Sequence, residues 1–287
     1  RYSLGRKNLP HPTVPHPLSK GQGKTAAAIG ITFIAALATA IKTGLINIDN
    51  FSTVLLSTII LAVIVYFTRL LTNPHVSSDN KRHIIAYIPL FLTICMFWAV
   101  WFQVYTVATV YFDETVNRTI GSFTIPVSWK DSIQSMWVIL FSGVMAAIWT
   151  KMGRKQPKTP LKFAMAVFVT GASFLCFIPF ISSGTPMPIM VFSLIILAIT
   201  IGELMISPIA LSISTKIAPP LFKTQMVALN FLAFSLGFTL GGVLFEKGYH
   251  AGNDIGFYQL LFYIGAATGT LLLLLIPVLN KMLKGID

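Results

Sequence analysis

Apolar residues fall along this chain in long continuous blocks separated by short polar turns, and eight of the blocks are long enough to be membrane spans. They run over Thr25–Ile41, Phe51–Phe67, Ile84–Phe112, Ile133–Thr150, Leu161–Ile181, Ile189–Thr215, Leu221–Phe245 and Phe257–Leu279. About 20 mainly apolar residues in a helix cross roughly 30 Å of hydrocarbon. Turn-forming residues separate the blocks, as at Asn47-Ile48-Asp49-Asn50, Gln156-Pro157-Lys158 and Ala218-Pro219-Pro220. A β-barrel would show short alternating strands, and backbone inside lipid must satisfy its own hydrogen bonds. The pattern therefore predicts an all-α polytopic membrane protein with eight transmembrane helices.

Composition agrees and changes one reading. Of 287 residues, 55% are hydrophobic and 10% charged, where soluble domains average about 25% charged. Twenty-one Lys and Arg against nine acids give a net charge of +12, which in a soluble chain would suggest nucleic acid. Here the charges follow the spans. Placing residues 1–23 in the cytoplasm as a linker puts 17 of the 21 basic residues on that side, at a net +15, and leaves −2 outside. By the positive-inside rule both termini are expected in the cytoplasm, and no nucleic-acid partner is expected. The charged opening from Arg1 has no apolar core, so no signal peptide is expected. Cys95 and Cys176 lie inside apolar runs and read as packing residues. The Pro-rich run containing His11 and His16 reads as extended linker, and no metal site is expected.

One acid remains within the hydrocarbon. Glu203 lies near the middle of the sixth span, where a carboxylate costs on the order of 3 kcal/mol or more and usually marks a cavity or an ion or substrate path. A protonated glutamate bonded inside a bundle is the structural alternative. On a helix, Thr200, Glu203, Ser207, Leu211 and Ser214 share one face, and Pro208 removes a backbone donor beside it. Candidate partners sit on other spans. Trp98, Trp101, Phe102 and Tyr105 follow helical spacing in the third, with Gln103 adjacent; such aromatics are more often packing than a ligand cage. Gln134 opens the fourth span, where capping would explain it equally well, and Asn230 is an intramembrane amide in the seventh. Gly237 with Gly241, and Gly265 with Gly269, make small-residue faces for close helix contact. No nucleophile and base accompany the single mid-span carboxylate, so no enzyme is expected.

The run Gly202-Glu203-Leu204-Met205-Ile206-Ser207-Pro208, continued by Thr215-Lys216-Ile217-Ala218-Pro219, resembles the tenth-helix signature of the proton-dependent oligopeptide transporter family, within the major facilitator superfamily. Phe97-Trp98-Ala99 with Gln103 is similar to its seventh-helix motif, and Ile125-Pro126-Val127-Ser128-Trp129, Trp149-Thr150-Lys151-Met152-Gly153 and Thr159-Pro160-Leu161-Lys162 follow in order. The resemblance implies that residues 24–71 are the two-helix insertion found between halves, and that residues 84–287 are the C-terminal six-helix bundle. The N-terminal six-helix half would be missing from this chain.

The resemblance further implies proton-coupled symport of di- and tripeptides across the cell membrane by alternating access. Its partners would be peptide, protons, the lipid bilayer and the other half, with no cofactor beyond the proton gradient. Glu203 would meet the peptide amino group and help couple proton to peptide binding, with Ser207 one turn on. Gln134 and Ser135 stand where the family has an Asn-Pro pair. Phe102 replaces a frequent glutamate, and Asn230 a usual tryptophan. These departures point to altered selectivity or an altered proton route. A facilitator for nitrate, a drug or a sugar, or a non-transporting sensor or assembly subunit, would share the fold.

Overall fold

The computed structural model describes residues 20–250, 252–284 and 286. The chain divides into two compact units, residues 1–51 and 52–287. In the first, α1 (Lys20–Lys42) leads into a turn that Asn47 and Asn50 close reciprocally, each backbone N–H donating to the other's side-chain oxygen at 2.9 and 3.0 Å. Helix α1 begins inside the stretch read as linker, and the run with His11 and His16 lies outside the described residues.

The second unit carries α2 (Phe51–Thr72) from its second residue on, then α3 (Ser78–Trp101), α4 (Val107–Glu114), α5 (Lys130–Met152), α6 (Thr159–Leu175), α7 (Ile178–Ser183), α8 (Ile189–Lys216), α9 (Lys223–Gly248) and α10 (Asp254–Met282). Among the described residues, eight helical stretches are long and apolar enough to cross a membrane, matching the eight predicted blocks with ends shifted by a few residues.

Two of the blocks are not single helices. The fifth breaks after Leu175, four residues before Pro179, whose ring displaces the carbonyl of residue 175 and which has no N–H to offer it. The third breaks between α3 and α4 with no proline at the break, since Pro89 lies well upstream within α3: Phe102–Val104 tighten into a 3-10 turn, and Thr106 takes φ −106° and ψ −98°. By contrast α8 continues through Pro208, which leaves the carbonyl of Leu204 without its helical donor.

Helix α3 is buried along most of its length and forms the axis of the unit. It meets α9 where glycine allows close approach. A Cβ on Gly237 would lie 2.7 Å from the carbonyl oxygen of Cys95, and one on Gly241 2.9 Å from that of Ala99. A second such seam joins α6 to α10, where Gly171 faces Gly265. Helix α8 packs against α5 and α6. Large apolar side chains point outward, Ile139 at 75% and Leu274 at 71% exposure, a surface that lipid tolerates and water does not.

Two small pairings modify the all-helical expectation. Strand β1 (Val116–Asn117) pairs in parallel with β4 (Met187–Pro188), and β2 (Thr119–Ile120) forms a hairpin with β3 (Phe123–Thr124) about Gly121 at φ +61°. The first ties the loop after α4 to the loop before α8, and the second folds the loop after α4 on itself.

Candidate functional site

Glu203 lies near the middle of α8, and its Oε2 accepts two hydrogen bonds from other helices. The indole Nε1 of Trp101, the last residue of α3, donates at 3.1 Å, and the amide Nε2 of Gln134, in the second turn of α5, donates at 3.3 Å. Trp101 is 5% exposed and Gln134 6%, so both donors are held by packing before anything binds. Among the described residues no Lys, Arg or His nitrogen forms a salt bridge with Glu203. The carboxylate is oriented by neutral donors and retains capacity for a cation.

It faces a cavity of about 1110 Å³ between α5 and α8. Helix α8 contributes Glu203, Leu204, Ser207 and Pro208, and α5 contributes Ser142, Met145 and Trp149, which follow one another at helical spacing. The far rim is basic, with Arg154, Lys158, Lys162 and Lys216. Lys162 is fastened there: its Nζ donates to Gln156 Oε1 at 2.7 Å and lies 4.4 Å from the centre of the Trp149 ring.

The structure brings together Glu203, Ser207 and Gln134 of the residues singled out from sequence. It does not bring Trp98, Phe102, Gln103 or Asn230 to the cavity wall. Trp98 packs among Phe97, Trp101, Phe234 and Phe238, with ring centres 4.5–5.4 Å away. Phe102 packs on Phe238 over Gly241. Gln103 is a tie within the helix break: its Nε2 donates to the carbonyls of Ala99 at 3.1 Å and Gly241 at 2.9 Å, while its Oε1 accepts from Thr106 at 2.7 Å. Asn230 is buried on α9 at 1% exposure. On the α8 stripe, Thr200 and Ser214 turn back to their own helix, donating to Ile196 and Leu211 carbonyls at 2.8 Å each. The stripe therefore reaches the cavity only through Glu203 and Ser207.

Two contributors were not selected from sequence as site residues. Trp101 lies in the aromatic stripe already noted, one turn beyond Trp98, and only the neighbouring helices decide which indole meets the carboxylate. Lys130 carried no signal beyond its charge. It is 3% exposed, and its Nζ donates to the carbonyl of Val104 in the helix break at 2.9 Å. It also lies 5.0 Å from the centre of the Tyr105 ring, which packs 5.3 Å from Trp101. A continuous line of contacts thus runs from Glu203 through Trp101 and Tyr105 to Lys130.

Comparison with known proteins assigns this arrangement to a family. The POT family model matches residues 18–261. The uncharacterized transporter YclF of Bacillus subtilis is 31% identical over 99% of this chain and 59% of its own length. A di-/tripeptide transporter of Lactococcus lactis subsp. cremoris is 35% identical over 82% of this chain and 49% of its own. A crystal structure of a peptide transporter POT in complex with alafosfalin superposes with a TM-score of 0.86 at 28% identity, covering 99% of this chain and 59% of that one. The chain thus spans about half to three-fifths of the length of these relatives. Eight apolar helices and a family match over most of their length lead to one conclusion: this multi-pass membrane protein belongs to the POT family.

Proposed function

We propose that this chain is the C-terminal part of a symporter that carries di- and tripeptides together with protons by alternating access. In this reading residues 84–287 form a six-helix bundle, residues 24–71 a two-helix insertion, and a six-helix half outside this chain completes the transport path. The observation that carries the reading is the Glu203 carboxylate, oriented by Trp101 and Gln134 toward a large cavity and without a cationic partner among the described residues. A peptide amino group supplies that charge. The relatives named as di-/tripeptide transporters and the structure with alafosfalin support the choice of ligand.

The coupling follows from one carboxylate serving two cations. Ionised Glu203 binds the peptide ammonium, with the Trp101 and Gln134 donors on Oε2 leaving Oε1 for the ligand. A proton taken up by Glu203 removes the negative charge and releases the amine. Ammonium and proton therefore exclude each other at this oxygen pair, and net transport requires that the inward- and outward-open states differ in affinity for them. The basic rim of the cavity is proposed as the cytoplasmic side, with both termini of the chain on it.

The test is uptake by the full-length protein carrying Glu203→Gln, which keeps the shape and removes the charge. Proton-driven uptake of dialanine is expected to be lost while the protein still reaches the membrane. Unchanged uptake and unchanged affinity would remove Glu203 from the mechanism. Failure of dialanine to compete at all would point instead to another solute.

A further inference from the structure

A second pocket, of about 300 Å³, lies at the other end of the bundle from the basic rim, where α4 and α7 end and α10 begins. Its polar lining comes from Glu114, Thr115, Asp254, Tyr111, Tyr249 and Tyr258, and it has no Lys, Arg or His. Tyr111 is 7% exposed and Tyr258 0%. The hydroxyl oxygens of both are buried and have no hydrogen-bond partner among the described residues. Their rings belong to an aromatic cluster: Phe177 stacks on Tyr258 at 4.8 Å and meets Tyr111 edge-on at 5.0 Å. A phenylalanine would fill either place in that cluster, yet each ring carries a hydroxyl that packing does not use.

The parts agree on one kind of ligand. Two carboxylates without a basic neighbour in the lining attract a cation, and two free hydroxyl oxygens accept N–H donors. Aromatic walls favour an ammonium. The described residues bring no third carboxylate, His or Cys into the pocket, so the donor set is poor for a metal ion. The volume suits a short alkylammonium group. We propose that this pocket is a cation site for a primary ammonium group, separate from Glu203 and independent of its role. The ammonium comes either from an amine-bearing solute or from an ethanolamine lipid headgroup, since the chemistry presented is the same.

The test uses the full-length protein carrying Glu203→Gln, so that the amine contact in the larger cavity is removed, in nanodiscs of phosphatidylglycerol. Titration calorimetry with ethylammonium chloride against sodium chloride at equal ionic strength is expected to show saturable binding of ethylammonium alone. Glu114→Gln combined with Asp254→Asn is expected to weaken it at least about tenfold, and the conservative Tyr258→Phe roughly fivefold. Nanodiscs containing phosphatidylethanolamine assign the source: weaker apparent ethylammonium binding identifies the headgroup, and unchanged binding identifies a soluble amine. No saturable binding, equal binding of sodium, or binding indifferent to Tyr258→Phe in a protein with native elution would overturn the proposal.

Discussion

Lys130 Nζ donates to the carbonyl oxygen of Val104 at 2.9 Å, across the break that divides α3 from α4. A helix interrupted at membrane depth leaves carbonyls without their helical donors, and the structure must satisfy them from elsewhere. Thr109 supplies a second donor to the same oxygen at 3.0 Å. Lys130 and Gln134 are one turn apart on α5, so the helix that fastens the break also positions the donor to Glu203.

Removing that fastening has a predictable cost. Lys130→Met keeps the length of the side chain and loses the donor, leaving Asp131 without its partner at 2.8 Å. Destabilisation of about 1–3 kcal/mol is expected from a buried hydrogen-bonding group left unmade, read as a lower unfolding temperature in detergent. Lys130→Arg is expected to recover part of it. Equal stability of the Met variant and the parent would show that Thr109 alone satisfies the break.

The two indoles of α3 predict opposite outcomes for the same substitution. Trp101→Phe removes the donor to Glu203 and is expected to weaken binding of a peptide by about threefold to tenfold, the worth of one hydrogen bond of about 1 kcal/mol. Trp98→Phe removes an N–H that bonds nothing among the described residues and is expected to leave peptide affinity within about twofold. Peptide-binding titrations on the full-length variants decide the matter. A larger effect at Trp98 would refute the assignment of Trp101.

Close approach of α3 and α9 depends on the absence of side chains at two positions. An alanine at Gly237 would place its Cβ 2.5 Å from that of Trp98, with the Cys95 carbonyl at 2.7 Å, so the helices must separate. A loss of about 1–3 kcal/mol is expected, against none at Gly242, where a Cβ meets nothing within 4 Å. Thermal unfolding of Gly237→Ala beside Gly242→Ala gives the comparison.

Alkaline pH probes the loop between α9 and α10. Burial, and then the hydrogen bond and negative charge of Asp254, push the Tyr249 phenol from 10.0 up to about 12. The fold favours the protonated phenol, so the contribution of Tyr249 is fully present below pH 10 and is lost as pH rises through 12. Tyr249→Phe is expected to show a shallower fall in stability across that window than the parent. Parallel curves would mean that Tyr249 does not titrate with unfolding.

Much of this protein is legible in one dimension because the bilayer imposes one rule on every span. Long apolar blocks must be helices, and a single ionisable residue inside them stands out against the cost of burying it. That logic reaches the eight spans, the glycine seams of α9 and α10, and Glu203 with Ser207 on its cavity-facing stripe. It reads Leu161–Ile181 as one helix, whereas the structure divides it ahead of Pro179, where the chemistry that interrupts a helix is local. The break between α3 and α4 is different: its carbonyl at Val104 is satisfied by a lysine 26 residues away, so hydropathy alone reads an unbroken helix. The choice between Trp98 and Trp101, and the placement of Gln103 as a tie between helices, likewise belong to tertiary packing. Helical periodicity places such residues only around their own axis. Which face meets a carboxylate, and which meets a neighbouring backbone, is decided by where the other helices stand.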